Sequence, residues 1–190
     1  KDEIKNILAY VKGKGSSLHL LGLVSDGGVH SHFSHIPPLV KCAKDAGLKH
    51  IFLHAITDGR DTSPYGGVDY VRQIERVLSE MGIGQIATVI GRYHAMDRDS
   101  RWERTERAYR MFLSGEGKKA DSAGEAIEKS YSAGVTDEFI EPISILGNGG
   151  ELHTITPDDA VLCFNFRADR MRQICSALGS GNFSQFSRLQ

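Results

Sequence analysis

Five arginines of this sequence lie just after apolar runs, at positions where the ends of strands would present them. They are Arg60, Arg92, Arg98, Arg167 and Arg170. Guanidinium groups bind phosphate and carboxylate through paired, planar hydrogen bonds. Several unpaired arginines in one cleft would repel each other. A ligand that carries phosphate and carboxylate groups and binds among them would offset this repulsion. These residues therefore predict recognition of a small anion.

The arginines between residues 92 and 110 divide into two groups. Arg92 is expected at a strand end and Arg98 at the start of the next helix, where free backbone N–H groups also attract anions. By contrast, Arg104, Arg107 and Arg110 fit a solvated helix face that also carries glutamates. Only the first two are therefore assigned to the anion site.

Asp61 and His30 are the other candidates for chemistry. A carboxylate at Asp61, beside Arg60, could accept a hydrogen bond from a substrate hydroxyl or serve as a base; it could equally be a turn residue or an ion-pair partner. His30 is expected to contact an anionic ligand. His32 or His35 is expected to support the loop or cap the next helix.

The spacing of His30 and His32 also occurs in metal-dependent hydrolase barrels. Such a barrel needs about 250 residues, and no further ligands follow at a suggestive spacing. We therefore expect no metal site in this chain, and a metal hydrolase remains a minor alternative. The sequence also has no GxxxxGK[ST] loop, GxGxxG turn or GxSxG elbow.

Apolar runs alternate with segments of helical spacing along the chain. The runs are 18–24, 50–56, 85–90 and 159–166. This alternation predicts an α/β fold with a mostly parallel sheet and helices on both faces, plus a small extended or hairpin region near 139–156. We expect a single domain over 1–190. Ligands of open parallel sheets bind beyond the carboxyl ends of the strands, so the polar clusters should converge there.

Composition narrows the possible partners. The 190 residues carry 23 basic and 24 acidic side chains, a net charge of -1, so no global field favours nucleic acid or anionic lipid. No run approaches the roughly 20 apolar residues of a membrane span. Three cysteines without paired spacing suggest neither a disulfide framework nor a zinc knuckle, and a reducing cytoplasm fits best.

Four longer motifs contain these candidates. They are Gly27-Gly28-Val29-His30-Ser31-His32, Asp58-Gly59-Arg60-Asp61, the segment 91–104, and Asn165-Phe166-Arg167-Ala168-Asp169-Arg170. In this order they resemble the cofactor-independent phosphoglycerate mutases, over nearly the whole chain from about Leu18 onward. The resemblance implies an isomerase of glycolysis that interconverts 2- and 3-phosphoglycerate through a phosphoserine.

The resemblance covers only one part of that family. Its members have a phosphatase-like domain with two manganese ions and a serine nucleophile, and an inserted phosphotransferase domain that holds the glycerate. This chain resembles the insert alone. The substrate contacts implied for it are His30, Arg60, Asp61, Arg92, Arg98, Arg167 and Arg170. Asp61 would also help to move the hydroxyl proton.

The family's Ser-Glu-Val-Gly-His nucleophile motif, its metal-ligand motifs and its substrate-binding lysine are missing from this sequence. We therefore expect a piece of a longer polypeptide that binds phosphoglycerate but does not turn it over alone. Its partner would be the phosphatase-like domain of the same polypeptide. The alternative is a stand-alone anion-binding or regulatory module without catalysis.

Overall fold

The computed structural model of the chain describes residues 2–189 and contains six strands in one sheet. The strands are β1 (Leu18–Leu23), β2 (Ile51–Thr57), β3 (Gln85–Gly91), β4 (Lys118–Ala120), β5 (Ile143–Ile145) and β6 (Ala160–Cys163). Their order is β4-β5-β3-β2-β1-β6. All neighbours are parallel except β3 and β5. The predicted mostly parallel sheet is confirmed.

Helices cover both faces of the sheet, as the sequence predicted. They are α1 (Asp2–Lys14), α2 (Ile36–Asp45), α3 (Gly67–Met81), α4 (Arg92–Ala95), α5 (Trp102–Ser114), α6 (Ala123–Ser132) and α7 (Arg172–Gly179). One buried cluster contains apolar residues of α1, α2, α3 and α6, and the other contains those of α4, α5 and α7. Consecutive residues of a strand point to opposite faces of the sheet, so they belong to different clusters. Leu20 belongs to the first cluster and Leu21 to the second.

The connection from β1 to α2 contains a short 3-10 turn over Phe33–His35. The ring of His32 precedes this turn and accepts a hydrogen bond from the Ser34 backbone N–H at 3.3 Å. The expected supporting role of a histidine in this loop is therefore filled by His32. Prolines occupy the first turn of α2, where a missing N–H costs nothing.

Two local expectations were wrong. Arg98 does not open a helix, because α4 ends at Ala95 and α5 begins only at Trp102. In the region 139–156, which was expected to be extended or a hairpin, β5 forms and joins the main sheet, but the residues around Leu152 do not pair with it as a second strand. A turn closed by the Gly147 N–H and the Glu151 carbonyl, 2.9 Å apart, replaces a hairpin.

In the described part of the chain, no helix has both the length and the apolar character that crossing a membrane requires.

Candidate functional site

Four polar clusters meet at the carboxyl ends of β3, β2, β1 and β6, which are neighbours in the sheet. A cavity of about 160 Å³ opens there. Four of the predicted arginines line it together with further polar side chains: Arg60, Arg92, Arg98, Arg170, Asp97, Asp99, Arg101, Arg104 and Glu138. The convergence that strand order predicted is thus confirmed, while His30, Asp61 and Arg167 lie around this cavity rather than in its lining.

The buried carboxylate of Asp58 holds the turn after β2. Its Oδ1 accepts hydrogen bonds from the backbone N–H groups of Arg60, at 3.1 Å, and Asp61, at 3.0 Å. Its Oδ2 accepts from the Ser25 hydroxyl at 2.7 Å, which ties the β2 turn to the end of β1. Burial favours a higher pKa of Asp58, but hydrogen bonds from Asp61, Ser25 and Arg92 outweigh it and lower the pKa.

Arg92 joins two carboxylates at the centre of the site. Its Nη1 lies 2.6 Å from Asp58 Oδ1 and 2.6 Å from Asp61 Oδ2. Burial favours a lower pKa of Arg92, yet its bonds to Asp61 and Asp58 leave that pKa raised. Asp61 is therefore oriented from one side while part of its carboxylate remains open to solvent.

Gly59 gives the β2 turn its shape. Its φ is +69°, a conformation that favours glycine, and an added Cβ would lie 2.8 Å from the Glu138 backbone nitrogen. The turn thus packs closely against the 3-10 turn Asp137–Phe139. Arg60 reaches across this contact, with its Nη1 3.4 Å from Glu138 Oε1.

His30 lies between two carboxylates but forms a close pair with neither. Its Nε2 is 3.7 Å from Asp61 Oδ2 and its Nδ1 is 3.9 Å from Asp169 Oδ1. The Nδ1 atom has no hydrogen-bond partner among residues 2–189. Burial, followed by the positive charges of Arg92 and Arg167, lowers the pKa of His30. A buried, neutral ring with a free nitrogen is thus held at the site.

Asp169 links two arginines from different elements. Its Oδ2 is 2.7 Å from Arg98 Nη1, and its Oδ1 is 2.9 Å from Arg167 Nε. The carbonyl of His30 accepts a hydrogen bond from the Phe166 N–H at 2.9 Å, which joins the loops after β1 and β6. Asp169 was missed as a site residue, although its place between Arg167 and Arg170 was the available signal.

Arg170 differs from the other predicted arginines. Among residues 2–189, no carboxylate lies within salt-bridge distance of it, and its Nη1 donates only to the Met96 carbonyl at 3.2 Å. Burial, followed by the positive charges of Arg98, Arg92 and Arg60, lowers the pKa of Arg170. This cation is therefore in an environment that an added anion would improve.

Arg104 was wrongly assigned to the solvated helix face. Its guanidinium carbon lies 3.7 Å from the centre of the Tyr93 ring, and its Nη1 is 3.6 Å from Asp97 Oδ1, at the wall of the cavity. Arg107 and Arg110 do form surface ion pairs, with Glu141 and Glu106. The neighbouring glutamates of α5 favoured an exposed position for Arg104, and the sequence could not show that its side chain meets Tyr93 of α4.

A metal site does not fit the described residues. Across residues 2–189, no three His, Cys, Asp or Glu side chains converge as metal ligands would. His32 does not join His30 in a ligand pair, since its Nδ1 is bonded to the Ser34 hydroxyl at 2.7 Å. The arrangement instead places arginine side chains, which are able to bind an anion, beside the partly exposed carboxylate of Asp61.

Comparison with known proteins identifies relatives over the same residues. The family model described as "BPG-independent PGAM N-terminus" matches residues 1–190. The 2,3-bisphosphoglycerate-independent phosphoglycerate mutase of Clostridium tetani is 52% identical over 173 residues, which are 91% of this chain and 34% of that protein. The enzyme of the same name from Moorella thermoacetica is 51% identical, over 92% of this chain and 34% of its own length.

A solved structure gives the same result in three dimensions. A crystal structure of Leishmania mexicana phosphoglycerate mutase superposes with a TM-score of 0.88 at 35% identity. The match covers 97% of this chain and 37% of that one. The chain thus spans about a third of the length of the curated relatives that it matches.

Proposed function

Because this chain belongs to the BPG-independent phosphoglycerate mutase N-terminus family, we propose that its arginine-lined cavity binds the phosphoglycerate of such an enzyme. The proposed contacts are His30, Arg60, Asp61, Arg92, Arg98, Arg167 and Arg170. In this account the chain is a single substrate-binding domain, and the rest of a longer polypeptide supplies the phosphoryl-transfer groups.

The observation that carries the proposal is the environment of Arg170. Each of the other predicted arginines has a carboxylate partner, whereas Arg170 has none among residues 2–189. A ligand with a phosphate and a carboxylate would place negative charge beside Arg170 and among its neighbours. Guanidinium forks suit both groups.

Asp61 is the proposed proton-transfer group. Its bond to Arg92 fixes the carboxylate, and the exposed part could accept the proton of a glycerate hydroxyl as that oxygen takes up the phosphoryl group. His30, held neutral by burial, could donate or accept a hydrogen bond at its free nitrogen. The arginines of the cavity are already in place, so they would stabilise negative charge on the transferred phosphoryl group without rearranging.

The transfer itself is proposed to occur on the part of the polypeptide beyond this family match. There a serine would accept the phosphoryl group and return it to the other hydroxyl of the glycerate, so that 2- and 3-phosphoglycerate interconvert in glycolysis, in the cytoplasm. Two manganese ions would belong to that part, because the described residues here offer them no ligand set. Val29 and Phe166, which precede His30 and Arg167 in sequence, are exposed apolar side chains that this other part of the polypeptide could cover.

Calorimetric titration of the 190-residue chain with 3-phosphoglycerate tests the proposal. We expect saturable binding that Arg170→Ala weakens by roughly tenfold or more, since a charge-assisted hydrogen bond contributes about 1.5–3 kcal/mol. Arg107→Ala is the matched control, because that arginine pairs with Glu141 and lies outside the cavity lining. Equal affinities of both variants would contradict the proposal.

A turnover assay separates the two functional alternatives. We expect the chain to bind 3-phosphoglycerate without forming 2-phosphoglycerate, and the full-length polypeptide of the same gene to form it. If the gene encodes no further domain, the stand-alone anion-binding module is the correct interpretation.

A further inference from the structure

Two cysteines of the chain lie next to each other in the structure. Cys163 ends β6, Cys175 lies in α7, and their Sγ atoms are 3.5 Å apart. Cys175 is exposed and Cys163 is half-buried. Both line an open cavity of about 850 Å³, so small reagents can reach them. A disulfide has an S–S distance of about 2.05 Å, which the pair would reach by approaching about 1.5 Å.

The two thiols are chemically unequal. The hydrogen bond from Cys163 lowers the pKa of Cys175 to about 7. The same contact, together with burial, raises the pKa of Cys163. Since the thiolate is the reactive form of cysteine, the accessible Cys175 is the nucleophile and Cys163 is the second thiol held beside it.

We propose that Cys163 and Cys175 are a redox modification site that a hydroperoxide converts into a disulfide. The Cys175 thiolate attacks the peroxide, which yields a sulfenic acid and releases hydroxide, or alkoxide from an alkyl peroxide. The Cys163 sulfur then attacks the sulfenic sulfur, the S–S bond forms, and water leaves. With hydrogen peroxide, two thiols and one peroxide give one disulfide and two waters. A dithiol reductant reverses the change.

The disulfide would enclose the segment 164–174, which carries Arg167, Asp169 and Arg170. This segment also contains Gln173, whose Nε2 donates to Asp97 Oδ2 at 3.0 Å and whose Oε1 accepts from the Ser100 N–H at 2.9 Å. Movement of α7 toward β6 therefore displaces the loop that holds Arg98.

Oxidation should consequently weaken phosphoglycerate binding. This consequence rests on the proposed function, whereas formation of the disulfide does not.

Peptide mapping tests the disulfide directly. The 190-residue chain is treated with hydrogen peroxide, alkylated and digested with trypsin without reduction. Because Arg167, Arg170 and Arg172 lie between the two cysteines, their peptides stay together only if a disulfide joins them. We expect this linked pair in the wild type and in Cys42→Ser, and its disappearance after dithiothreitol.

The cysteine variants make the result specific. Cys163→Ser and the exposed Cys175→Ser should each abolish the linked pair, and the second keeps the test valid if the first does not fold. Peroxide treatment that leaves Cys175 oxidised without a link to Cys163, or linked to Cys42, would overturn the proposal.

Titration of the reduced and oxidised chain with 3-phosphoglycerate tests the coupling. We expect roughly fivefold weaker binding after oxidation, restored by dithiothreitol and absent in Cys175→Ser. A linked pair with unchanged affinity would overturn the coupling. If the reduced chain does not bind at all, the proposed function fails while the disulfide is judged by the peptides alone.

Discussion

The Arg92 guanidinium lies 2.6 Å from the Asp58 carboxylate, and both side chains are buried at the point where β2 and β3 end. Both residues also contact Asp61, the candidate catalytic residue. Arg92 pairs with the Asp61 carboxylate, and Asp58 accepts a hydrogen bond from the Asp61 backbone N–H. The buried pair thus fixes both ends of Asp61. The stability of the fold and the geometry of the cleft therefore both depend on the Arg92–Asp58 pair.

Asp58→Asn should destabilise the chain by about 3 kcal/mol, because it leaves Arg92 buried with one charged partner fewer. Urea unfolding followed by circular dichroism measures the change. Asp158→Asn is the control, since its pair with Lys14 is exposed and its midpoint should not move. Equal midpoints for both variants would show that the buried pair does not stabilise the fold.

Gly59→Ala should cost clearly more stability than Gly82→Ala. Both glycines have positive φ, 69° and 64°, so each substitution costs about 1 kcal/mol of backbone strain. Only at Gly59 would the new Cβ also meet a neighbour, the Glu138 backbone nitrogen. Thermal unfolding of the two variants measures the difference, and equal melting temperatures would refute the close packing of the turn.

Stability should fall as the pH drops below about 6.5, because buried His19 and His54 resist protonation. Their rings are joined at 2.8 Å, and His54 also contacts the Thr88 hydroxyl at 2.9 Å. Burial lowers the pKa of both, His54 most strongly. The unfolded chain then binds more protons, so unfolding becomes easier by up to about 1.4 kcal/mol per pH unit for each ring.

The pH dependence can be assigned with two variants. Urea unfolding between pH 5 and 8 should give a shallower slope for His54→Gln than for the wild type. The exposed His50 provides the control, and His50→Gln should keep the wild-type slope. An unchanged slope for His54→Gln would mean that another group is responsible.

Ligand binding should raise the pKa of His30. In the free chain, burial and the charges of Arg92 and Arg167 lower that pKa. An anion among these cations would oppose their effect. NMR titration of the histidine ring signals, with and without 3-phosphoglycerate, measures the change, and His30→Gln assigns the signal. A pKa of His30 that is identical in both titrations would argue against an anion beside it.

The mostly parallel sheet and the meeting of the polar clusters at one edge were predictable from the sequence, because each cluster directly follows an apolar run. The parallel arrangement then places Arg60, Arg92 and Arg167 at one edge. Composition alone did not reveal this, since the arginines are concentrated locally in a chain with a net charge of -1.

Other parts of the site depend on tertiary contacts that no local pattern encodes. Asp169 pairs locally with Arg167, two residues away, but its pairing with Arg98 spans 71 residues of sequence. The stacking of Arg104 on Tyr93 depends on how α5 packs beside α4, and the entry of β5 into the main sheet depends on an antiparallel partner, β3. Sequence spacing can indicate which residues share one face of a helix or strand, but not which part of the protein that face packs against.

The central claim is that the cavity at the carboxyl ends of β1, β2, β3 and β6 binds phosphoglycerate. A crystal structure of the 190-residue chain with 3-phosphoglycerate tests it most directly. We predict that the ligand lies among Arg60, Arg92, Arg98 and Arg170, with a hydroxyl next to the Asp61 carboxylate. Occupancy instead of the cavity of about 750 Å³ beside His50 and His153, at the opposite end of the strands, would contradict the account.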